Sequence, residues 1–308
     1  MSSASAPGKI ILFGEHAVVY GHPALAVPVT QVQATATVAR SARRGTWIEA
    51  PNIDLSAELS TLPPDHPLGA AIRRVFSTLK IERPPACTVY IQSTIPVAAG
   101  LGSGAAVTVA VLRALSSFLG TPLPDDQVNQ LTFEIEKLYH GTPSGIDNTV
   151  VTFARPVYFV KRRPIETFRV AVPFTIVIGD TGVSSPTKLV VEEVRRSWKA
   201  APGRFEQMFA SIEWIVRRAR RAIETGQDST LGPLMNRNHS ILQKMGVSSP
   251  ELDGLVEAAR SAGAEGAKLS GAGRGGNMIA LVQPERTEKV SQALYQAGAK
   301  RVLITTVS

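Results

Sequence analysis

The first half of the chain alternates between strand-like and helix-like hydrophobic patterns. Period-two alternation and runs of β-branched residues predict strands over residues 9–13, 34–40, 88–93 and 156–161. Apolar residues that recur every three or four positions predict helices over residues 67–79, 103–119 and 125–137. In the helix over 103–119, Gly120 stands where a left-handed cap would end it.

The second half is mainly helical. A strand is expected over residues 174–179, and residues 204–225 carry a continuous apolar stripe that predicts a long amphipathic helix. Ser249 and Pro250 have the residue types that begin a helix. The last part of the chain predicts strands over 277–282 and 301–306 around a helix over 285–297. The pattern therefore predicts an α+β protein of two lobes, residues 1–170 and 171–308.

Composition favours a globular enzyme of the cytoplasm. With 308 residues and 44% apolar residues, the chain is long enough for two cores, and no disorder is expected beyond the Ser/Ala-rich first six residues. Cys87 is the only cysteine, which excludes internal disulfides and multi-cysteine metal sites. The first apolar run is too short for a signal peptide, and no uncharged run is long enough to span a bilayer.

The net charge of +8 is spread over scattered pairs of basic residues. A nucleic-acid surface would need these charges on one face, with exposed aromatic residues for stacking, whereas aromatic residues make up only 6% of this chain. We therefore expect no nucleic-acid or membrane partner, and a basic surface that favours anionic small molecules. The choice between a monomer and a homodimer stays open.

A glycine-rich loop precedes the helix predicted over 103–119. It consists of Ala99, Gly100, Leu101, Gly102, Ser103 and Gly104. Its glycines leave the backbone unobstructed, and the helix start offers N–H groups and the positive end of a dipole to a phosphate. The lysine of a Walker motif is absent. The alternative is a plain tight turn before a core helix.

A second glycine cluster spans residues 268–276. It satisfies G-x-G-x-x-G, but a strand rather than a helix follows it, so we reject a dinucleotide-binding fold. Such a run of glycines allows close approach of another backbone segment or a ligand. It is interpreted either as a second wall of a phosphate site, with Ser270 and Arg274 as donors, or as a hairpin turn.

Two carboxylates, Glu136 and Asp147, flank a turn that contains Pro143 and Gly145. One could bind a metal ion while the other takes a proton from a substrate hydroxyl, which is the division of labour that phosphoryl transfer from ATP requires. Taken singly, Glu136 is better explained as a solvated helix residue and Asp147 as a turn residue. Only their combination with two phosphate-competent loops favours catalysis.

The N-terminal segment 9–16 adds three ionisable groups, Lys9, Glu15 and His16. Lys9 could keep an aspartate ionised or meet a phosphate. Glu15 and His16 could bind hydroxyl or carboxylate groups of a substrate, although His16 alone would be read as an ordinary loop histidine.

Taken together, these motifs resemble those of the GHMP kinase superfamily along the whole chain, and most closely those of its mevalonate kinases. The resemblance rests on Pro7-Gly8-Lys9 with the run 14–21, on Pro96 with the run 100–106, and on the run 268–273. The sequences Gly-Glu-His-Ala-Val-Val and His-Gly-Thr-Pro-Ser-Gly-Ile-Asp-Asn, over 14–19 and 140–148, are similar to the mevalonate kinases in particular.

The resemblance implies a two-lobed fold with a ribosomal-S5-like N-terminal lobe and a ferredoxin-like C-terminal lobe. It implies ATP and Mg²⁺ as cofactors and mevalonate as substrate, phosphorylated on its primary hydroxyl. The implied roles are as follows: Asp147 as catalytic base with Lys9 beside it; Glu136 and Ser103 at Mg²⁺; residues 99–104, Ser144, Ser270 and Gly271 at the nucleotide; Lys9, Glu15, His16, Asp147 and Thr181 at the substrate.

Two positions depart from the family pattern, Gly104 in place of a serine that commonly binds Mg²⁺, and Arg274 in place of a glycine. Lys188 is a weak candidate for contact with the substrate carboxylate, on charge and position alone. The alternatives are another small-molecule kinase of the superfamily, including a phosphomevalonate kinase, a decarboxylase of the superfamily, and a non-catalytic ATP- or metabolite-sensing relative.

Overall fold

The computed structural model describes residues 1–96, 100–140, 143–184 and 187–308, except for the side chains of Tyr139, His140 and Asp228. The chain divides into two compact units. The first unit consists of residues 1–8, 32–97 and 101–154, and the second of residues 9–31, 98–100 and 155–308. Two long strands, β1 (Ser2–Phe13) and β2 (Ala24–Arg40), contribute residues to both units.

A mixed sheet forms one side of the first unit. Its strand order is β4 (Leu55–Glu58), β3 (Thr46–Ala50), β5 (Cys87–Ser93) and β2, with β1 paired to β2. Strands β3 and β5 run parallel, while the other pairs whose register is defined run antiparallel. Strands over 34–40 and 88–93 were predicted correctly, whereas β3, β4 and the first half of β2 were not predicted.

The N-terminal residues form a strand, although their Ser/Ala-rich composition allowed disorder there. Strand β1 begins at Ser2 and pairs with β2. The side chain of Ser3 lies 3.0 Å from Thr37 Oγ1, and that of Ser5 lies 2.8 Å from Thr35 Oγ1. Such hydroxyl pairs across strands stabilise a sheet without apolar side chains, which is why hydrophobicity alone gives no signal here.

Four helices cover this sheet, α1 (Pro67–Thr78), α2 (Ser103–Phe118), α3 (Asp125–His140) and α4 (Ile146–Phe153). Helix α2 lies at the centre and packs against the other three and against β5. Its Arg113 guanidinium donates hydrogen bonds to Asp125 Oδ1 at 2.7 Å and to the Thr152 carbonyl at 2.6 Å. This side chain therefore ties the start of α3 and the end of α4 to α2.

Cys87 begins β5 and is fully buried. Its sulfur lies 3.9 Å from the hydroxyl of Thr46 on β3. Burial raises the pKa of the Cys87 thiol. The side chain is therefore a protonated core residue at neutral pH.

The second unit contains an antiparallel sheet in the order β11 (Arg301–Val307), β8 (Phe174–Asp180), β10 (Asn277–Val282) and β9 (Gly266–Ser270). In chain order this is 4-1-3-2, the arrangement of a ferredoxin-like sheet. Its helices are α5 (Thr187–Ala200), α6 (Pro202–Thr225), α7 (Leu231–Met245), α8 (Pro250–Ser261) and α9 (Thr287–Gln296).

The predicted apolar stripe of α6 is buried, apart from Met208, which is half-buried. Helix α8 begins as predicted, with the Leu252 N–H donating to the Ser249 hydroxyl at 3.3 Å. Two short strands, β6 (Val157–Phe159) and β7 (Glu166–Thr167), continue the sheet from the first residues of β2.

Helix α7 and strand β9 touch through two glycines. A Cβ atom placed on Gly266 would lie 2.2 Å from the Gly232 carbonyl oxygen, and one placed on Gly232 would lie 2.4 Å from the Glu265 carbonyl oxygen. Any side chain at either position would push the helix off the sheet. These two glycines therefore set the distance between α7 and the strand that leads into the second glycine cluster.

Within the part of the chain that the structure describes, no helix combines the length and the apolar character that crossing a bilayer requires.

Candidate functional site

The first glycine loop runs into the N-terminus of α2, as predicted. Gly100 and Gly102 adopt left-handed conformations, with φ of 73° and 74°, and Gly102 stands at the N-cap position without a side-chain cap. Ser103 and Gly104, half-buried, open the first turn. Because first-turn N–H groups have no partner within a helix, they are available to an anion. Ala99 lies outside the described residues.

Glu136 and Asp147 lie on neighbouring helices of the first unit. Glu136 is 2% exposed and lies in the last part of α3, while Asp147 is half-buried in the first turn of α4. Helices α3 and α4 pack together, and Asn148 Nδ2 donates to Asn129 Oδ1 at 2.6 Å. Asp147 therefore follows the turn, as the sequence indicated, and occupies a helix N-terminus, where a negative charge is stabilised.

The turn before α4 is built for a sharp change of direction. Gly145 has a φ of 95° and forms the N-cap, and the Ile146 N–H donates to the Ser144 hydroxyl at 3.3 Å. Ser144 thus supports the start of the helix that carries Asp147. The preceding Gly141 and Thr142 lie outside the described residues.

The donor set fits a magnesium ion that is shared with a nucleotide. Among the described residues, no group of three or more His, Cys, Asp or Glu side chains is arranged to hold a metal. Mg²⁺ is usually bound through one or two carboxylates, with phosphate oxygens and water completing the octahedron. Glu136, a buried carboxylate, is a suitable ligand of this kind.

In the second unit, the end of β1 carries Lys9 and leads into Glu15. Lys9 is 5% exposed within the strand. Gly14 has a φ of 101°, and a Cβ atom there would lie 2.5 Å from the Cα of Ala24. A glycine is thus required where the chain leaves β1 and passes the start of β2.

Glu15 forms an ion pair with Lys268 in the interior. Both side chains have no exposed surface, and Lys268 Nζ donates to Glu15 Oε1 and, at 2.6 Å, to the Leu269 carbonyl. Burial raises the pKa of the Glu15 carboxyl and lowers the pKa of the Lys268 ammonium, while the attraction between the two charges opposes both shifts. The pair fixes the segment that contains Glu15 to strand β9.

His16 is held as a neutral imidazole. Its Nε2 lies 2.8 Å from the Ala272 carbonyl oxygen, which can only accept, so Nε2 carries the proton and Nδ1 is free of one. Burial lowers the pKa of His16 to about 4, with Arg274 acting in the same direction and the bond to Ala272 against it. His16 therefore links the 14–21 segment to the second glycine cluster.

The second glycine cluster is a hairpin connection between β9 and β10, with Ser270 opposite Asn277. A Cβ atom on Gly273 would lie 1.9 Å from the Val247 carbonyl oxygen, and one on Gly275 would lie 2.4 Å from the Val183 carbonyl oxygen. The cluster is thus a hairpin turn that also allows close approach of other backbone segments, and its part in a phosphate site stays a prediction.

Three polar side chains near this hairpin bond to the backbone. The hydroxyl of Ser270 donates to the Ile11 carbonyl at 2.8 Å, and that of Thr181 donates to the Gly276 carbonyl at 3.0 Å. The Arg274 guanidinium donates to Glu193 on α5 and, at 3.3 Å, to the Gly246 carbonyl. The charge of Arg274 is therefore balanced by a carboxylate. Lys188, by contrast, is exposed in the first turn of α5.

Within the second unit, Gly100 of the first glycine loop lies near the residue that follows the second glycine cluster. A Cβ atom on Gly100 would lie 3.6 Å from Asn277 Nδ2, the amide that directly follows the second glycine cluster. Asn277 is buried. Gly271, with a φ of 92°, would meet no atom within 4 Å of an added Cβ.

Lys268 lies at the start of the second glycine cluster, and the motif alone assigns it no role. Its signal is nevertheless present, because it is the only charged residue in strand β9, whose five residues are all buried. A charge in such a strand requires a buried partner of opposite sign, although the sequence does not show which carboxylate this is.

Both halves of the chain match family models of known proteins. The description "GHMP kinases N terminal domain" matches residues 68–155, and "GHMP kinases C terminal" matches residues 219–300. The chain belongs to the GHMP kinase family. The superfamily resemblance drawn from the motifs is thereby confirmed, as is the fold class.

Within that family, the similarity extends over the whole chain to mevalonate kinases. The chain is 38% identical to the mevalonate kinase of Thermococcus sibiricus over 99% of this chain and 96% of the relative. The crystal structure of L. major mevalonate kinase in complex with R-mevalonate has a TM-score of 0.87 and 28% identity, covering 100% of this chain and 96% of that one. A Streptococcus pneumoniae phosphomevalonate kinase, with a TM-score of 0.82, 18% identity and coverage of 99% and 100%, shares the fold.

Proposed function

We propose that this protein is a mevalonate kinase, which transfers the γ-phosphoryl group of ATP to the primary hydroxyl of mevalonate. The observation that carries the proposal is the 38% identity to a mevalonate kinase over 99% of the chain. The described residues support it, since they provide a glycine loop at a helix N-terminus and two carboxylates on adjoining helices. In the reaction, a bond forms between the hydroxyl oxygen and phosphorus, and the bond from phosphorus to ADP breaks.

The proposed roles follow from the chemistry of each side chain. Asp147 orients the substrate hydroxyl and accepts its proton, and Lys9 neutralises charge on the transferring phosphoryl group. The N–H groups of the loop over 99–104 hold the phosphates, with Ser103 as an additional donor. The nucleotide is contacted further by Ser144, Ser270 and Gly271. The mevalonate is contacted by Glu15, His16 and Thr181.

Mg²⁺ is proposed to be held by Glu136, with Ser103 as the hydroxyl nearest in sequence to the family's usual serine position. When bound, the ion would neutralise the charge of the phosphates. Gly104 provides no hydroxyl at that position, so the carboxylate of Glu136 is expected to carry more of the binding.

The proposal is tested by a coupled assay of ADP release with ATP, Mg²⁺ and one acceptor at a time. The acceptors are mevalonate, mevalonate 5-phosphate and galactose. Saturable turnover with mevalonate alone is expected. Turnover with only mevalonate 5-phosphate or only galactose would show that the protein is a kinase of that acceptor and not of mevalonate. Release of CO₂ would identify a decarboxylase. ATP binding without any turnover would indicate a sensing protein.

The role of Glu136 has its own test. Glu136→Gln should raise the Mg²⁺ concentration needed for half-maximal activity by at least tenfold, because an amide binds Mg²⁺ less well than a carboxylate. Glu134→Gln, two residues away on the same helix, is the control, since Glu134 pairs with Lys137 at 2.8 Å. An unchanged Mg²⁺ titration for Glu136→Gln would remove this residue from the metal site.

A further inference from the structure

Arg274 stands in the second glycine cluster, at a position where the family pattern has a glycine. Its φ is 57°, in the left-handed region, between Gly273 and Gly275 with φ of 83° and 142°. A residue with a Cβ atom is strained in this conformation, whereas glycine is not. Such strain persists only where surrounding contacts hold the residue in place.

The surrounding contacts fix both the backbone and the guanidinium group of Arg274. Its N–H donates to the Val247 carbonyl at 2.8 Å. Its Nε and Nη2 each donate to the Gly246 carbonyl at 3.3 Å, and its Nη1 donates to Glu193 on α5. A guanidinium group suits such a bridge, because its donors point in fixed directions toward more than one acceptor. Arg274 therefore joins α5 to the residues that end α7.

Helix α5 has little apolar surface with which to dock. Of its 14 residues, only Val190 and Val194 are buried. Near its end, the ring of Trp198 lies 5.0 Å from that of Tyr20, and the indole N–H donates to Glu206 on α6 at 2.8 Å. The docking of α5 therefore relies largely on polar and aromatic contacts at a few positions.

The pair of Arg274 and Glu193 holds the middle of α5. The two side chains are 44% and 36% exposed, and Arg196, on α5 itself, lies 3.9 Å from Glu193. An exposed ion pair stabilises a fold only modestly. Its removal should therefore change the placement of α5 without unfolding the protein.

The same glycine cluster bonds to two residues that are proposed at the mevalonate side. Ala272 accepts from His16 Nε2 at 2.8 Å. Gly276 accepts from the Thr181 N–H at 2.9 Å and from the Thr181 hydroxyl at 3.0 Å, and its own N–H donates to the Val183 carbonyl at 2.9 Å. The segment 181–183 is therefore tied to the hairpin that carries Arg274.

We propose that Arg274 is a positioning residue for the substrate. Its bond to Glu193 keeps α5 against the second glycine cluster, and so sets the placement of the segment 181–183 and of the helix that follows it. The inference rests on the proposed function, since it takes mevalonate as the substrate. It assigns Arg274 to substrate affinity and not to the phosphate contact that the sequence allowed.

Steady-state kinetics of single variants test this role. R274Q and E193Q should each raise the KM for mevalonate by about three- to fivefold, the effect of losing one exposed ion pair, with kcat and the KM for ATP unchanged. R196Q is the matched control, because it removes a guanidinium group that also lies near Glu193, and it should leave all three constants unchanged. The double variant R274Q/E193Q should raise the KM for mevalonate no further than R274Q alone, because both changes remove one contact.

E193Q separates positioning from a general effect of charge. Mevalonate is an anion, so an effect of surface charge alone would raise its KM on loss of Arg274 and lower its KM on loss of Glu193. Positioning predicts that both variants raise the KM. A lower KM for mevalonate in E193Q would therefore overturn the proposal.

R274G separates positioning from a role in stability. Glycine relieves the strain at a φ of 57°, so the midpoint of urea unfolding should not fall, while the KM for mevalonate should rise as in R274Q. A lower midpoint with an unchanged KM would make Arg274 a structural residue only. A rise in the KM for ATP in place of that for mevalonate would assign Arg274 to the phosphate site. Either result would overturn the proposal.

Hydrogen exchange of the intact protein gives a readout that does not depend on turnover. Peptides from α5 should exchange faster in R274Q and in E193Q than in the parent, and R196Q should match the parent. Equal exchange in all four proteins would contradict the proposed contact between α5 and the glycine cluster. A failure of the proposed function is seen separately, as a parent protein that does not turn over mevalonate.

Discussion

At the scale of single residues, the carboxylate of Asp147 carries the sharpest prediction. Asp147→Asn keeps the size of the side chain but removes its ability to accept a proton, so kcat should fall by about 10²–10⁴. The measurement is steady-state ADP release at saturating ATP, Mg²⁺ and mevalonate. Asp126→Asn, at an exposed position in the first turn of α3, is the control and should stay near parent activity. Activity of Asp147→Asn within a few-fold of the parent would exclude the proposed role.

The buried pair of Glu15 and Lys268 leads to a second prediction. Lys268→Met leaves the Glu15 carboxylate buried without its partner, which should lower the free energy of unfolding by about 3–5 kcal/mol. Glu15→Gln/Lys268→Met removes both charges and should be less destabilised than the sum of the single variants. Urea unfolding is measured for the parent, Glu15→Gln, Lys268→Met and the double variant. Strictly additive losses in the free energy of unfolding would show that the two charges do not interact.

The same pair shows what a sequence can reveal about a site at this scale. Lys9, Glu136 and Asp147 were predicted as site residues from motifs, because phosphoryl transfer needs cations and carboxylates of that kind, and their roles stay predictions. The partner of Glu15 was not recognised, because it lies 253 positions away along the chain. Local patterns carry no information about contacts of that separation.

At the scale of elements, the close contact between α7 and β9 predicts that alanine substitutions at two glycines have opposite effects on stability. Gly266→Ala would place a methyl group 2.2 Å from the Gly232 carbonyl oxygen, so we expect a loss of several kcal/mol of stability. Gly254→Ala lies in α8 with no atom within 4 Å of the new Cβ and should stabilise the protein by about 0.5–1 kcal/mol. Thermal unfolding of both variants measures this. A neutral Gly266→Ala would show that the helix can move away at little cost.

Elements with strong periodicity were predicted well, and those without it were missed. The apolar stripe of α6 and the Ser-Pro start of α8 depend on local sequence alone. Strand β1 was predicted only from Lys9 onward, because its first residues are held by hydroxyl pairs with β2. Helix α4 was missed because it spans only eight residues and follows a proline and a glycine, which indicate a turn.

At the scale of the whole molecule, two buried histidines make stability depend on pH. Burial lowers the pKa of both His16 and His239 to about 4, against an ordinary value of 6.5. The unfolded chain therefore binds more protons between pH 6.5 and 4, so the free energy of unfolding falls as the pH falls through this window. From pH 7.5 to 5.5 the loss should be on the order of 1 kcal/mol for each histidine.

The contribution of His239 can be isolated by substitution. Its Nδ1 accepts a hydrogen bond from the Leu269 N–H at 3.3 Å, and asparagine offers an acceptor oxygen near the same place. His239→Asn should therefore lose less stability than the parent between pH 7.5 and 5.5, in urea unfolding at both values. Identical losses would mean that His239 does not titrate as its burial implies.

Other properties of the whole molecule stay predictions. The division of the chain at residue 170 and a cytoplasmic location rest on sequence alone, and the choice between a monomer and a homodimer stays open. The fold class, in contrast, was predicted from the alternation of strands and helices and is confirmed. Its ferredoxin-like strand order depends on pairings between β8, β9, β10 and β11, for which the resemblance gave the expectation and the hydrophobic pattern did not.

The burial of Cys87 makes the protein convenient for spectroscopy. Since this thiol is fully buried and protonated at neutral pH, maleimide dyes and spin labels should leave the native chain unmodified. A cysteine introduced on the surface of each compact unit would then be the only point of attachment in that unit. Pairs of such labels would allow the separation of the two units to be followed by energy transfer or electron resonance as nucleotide and acceptor are added.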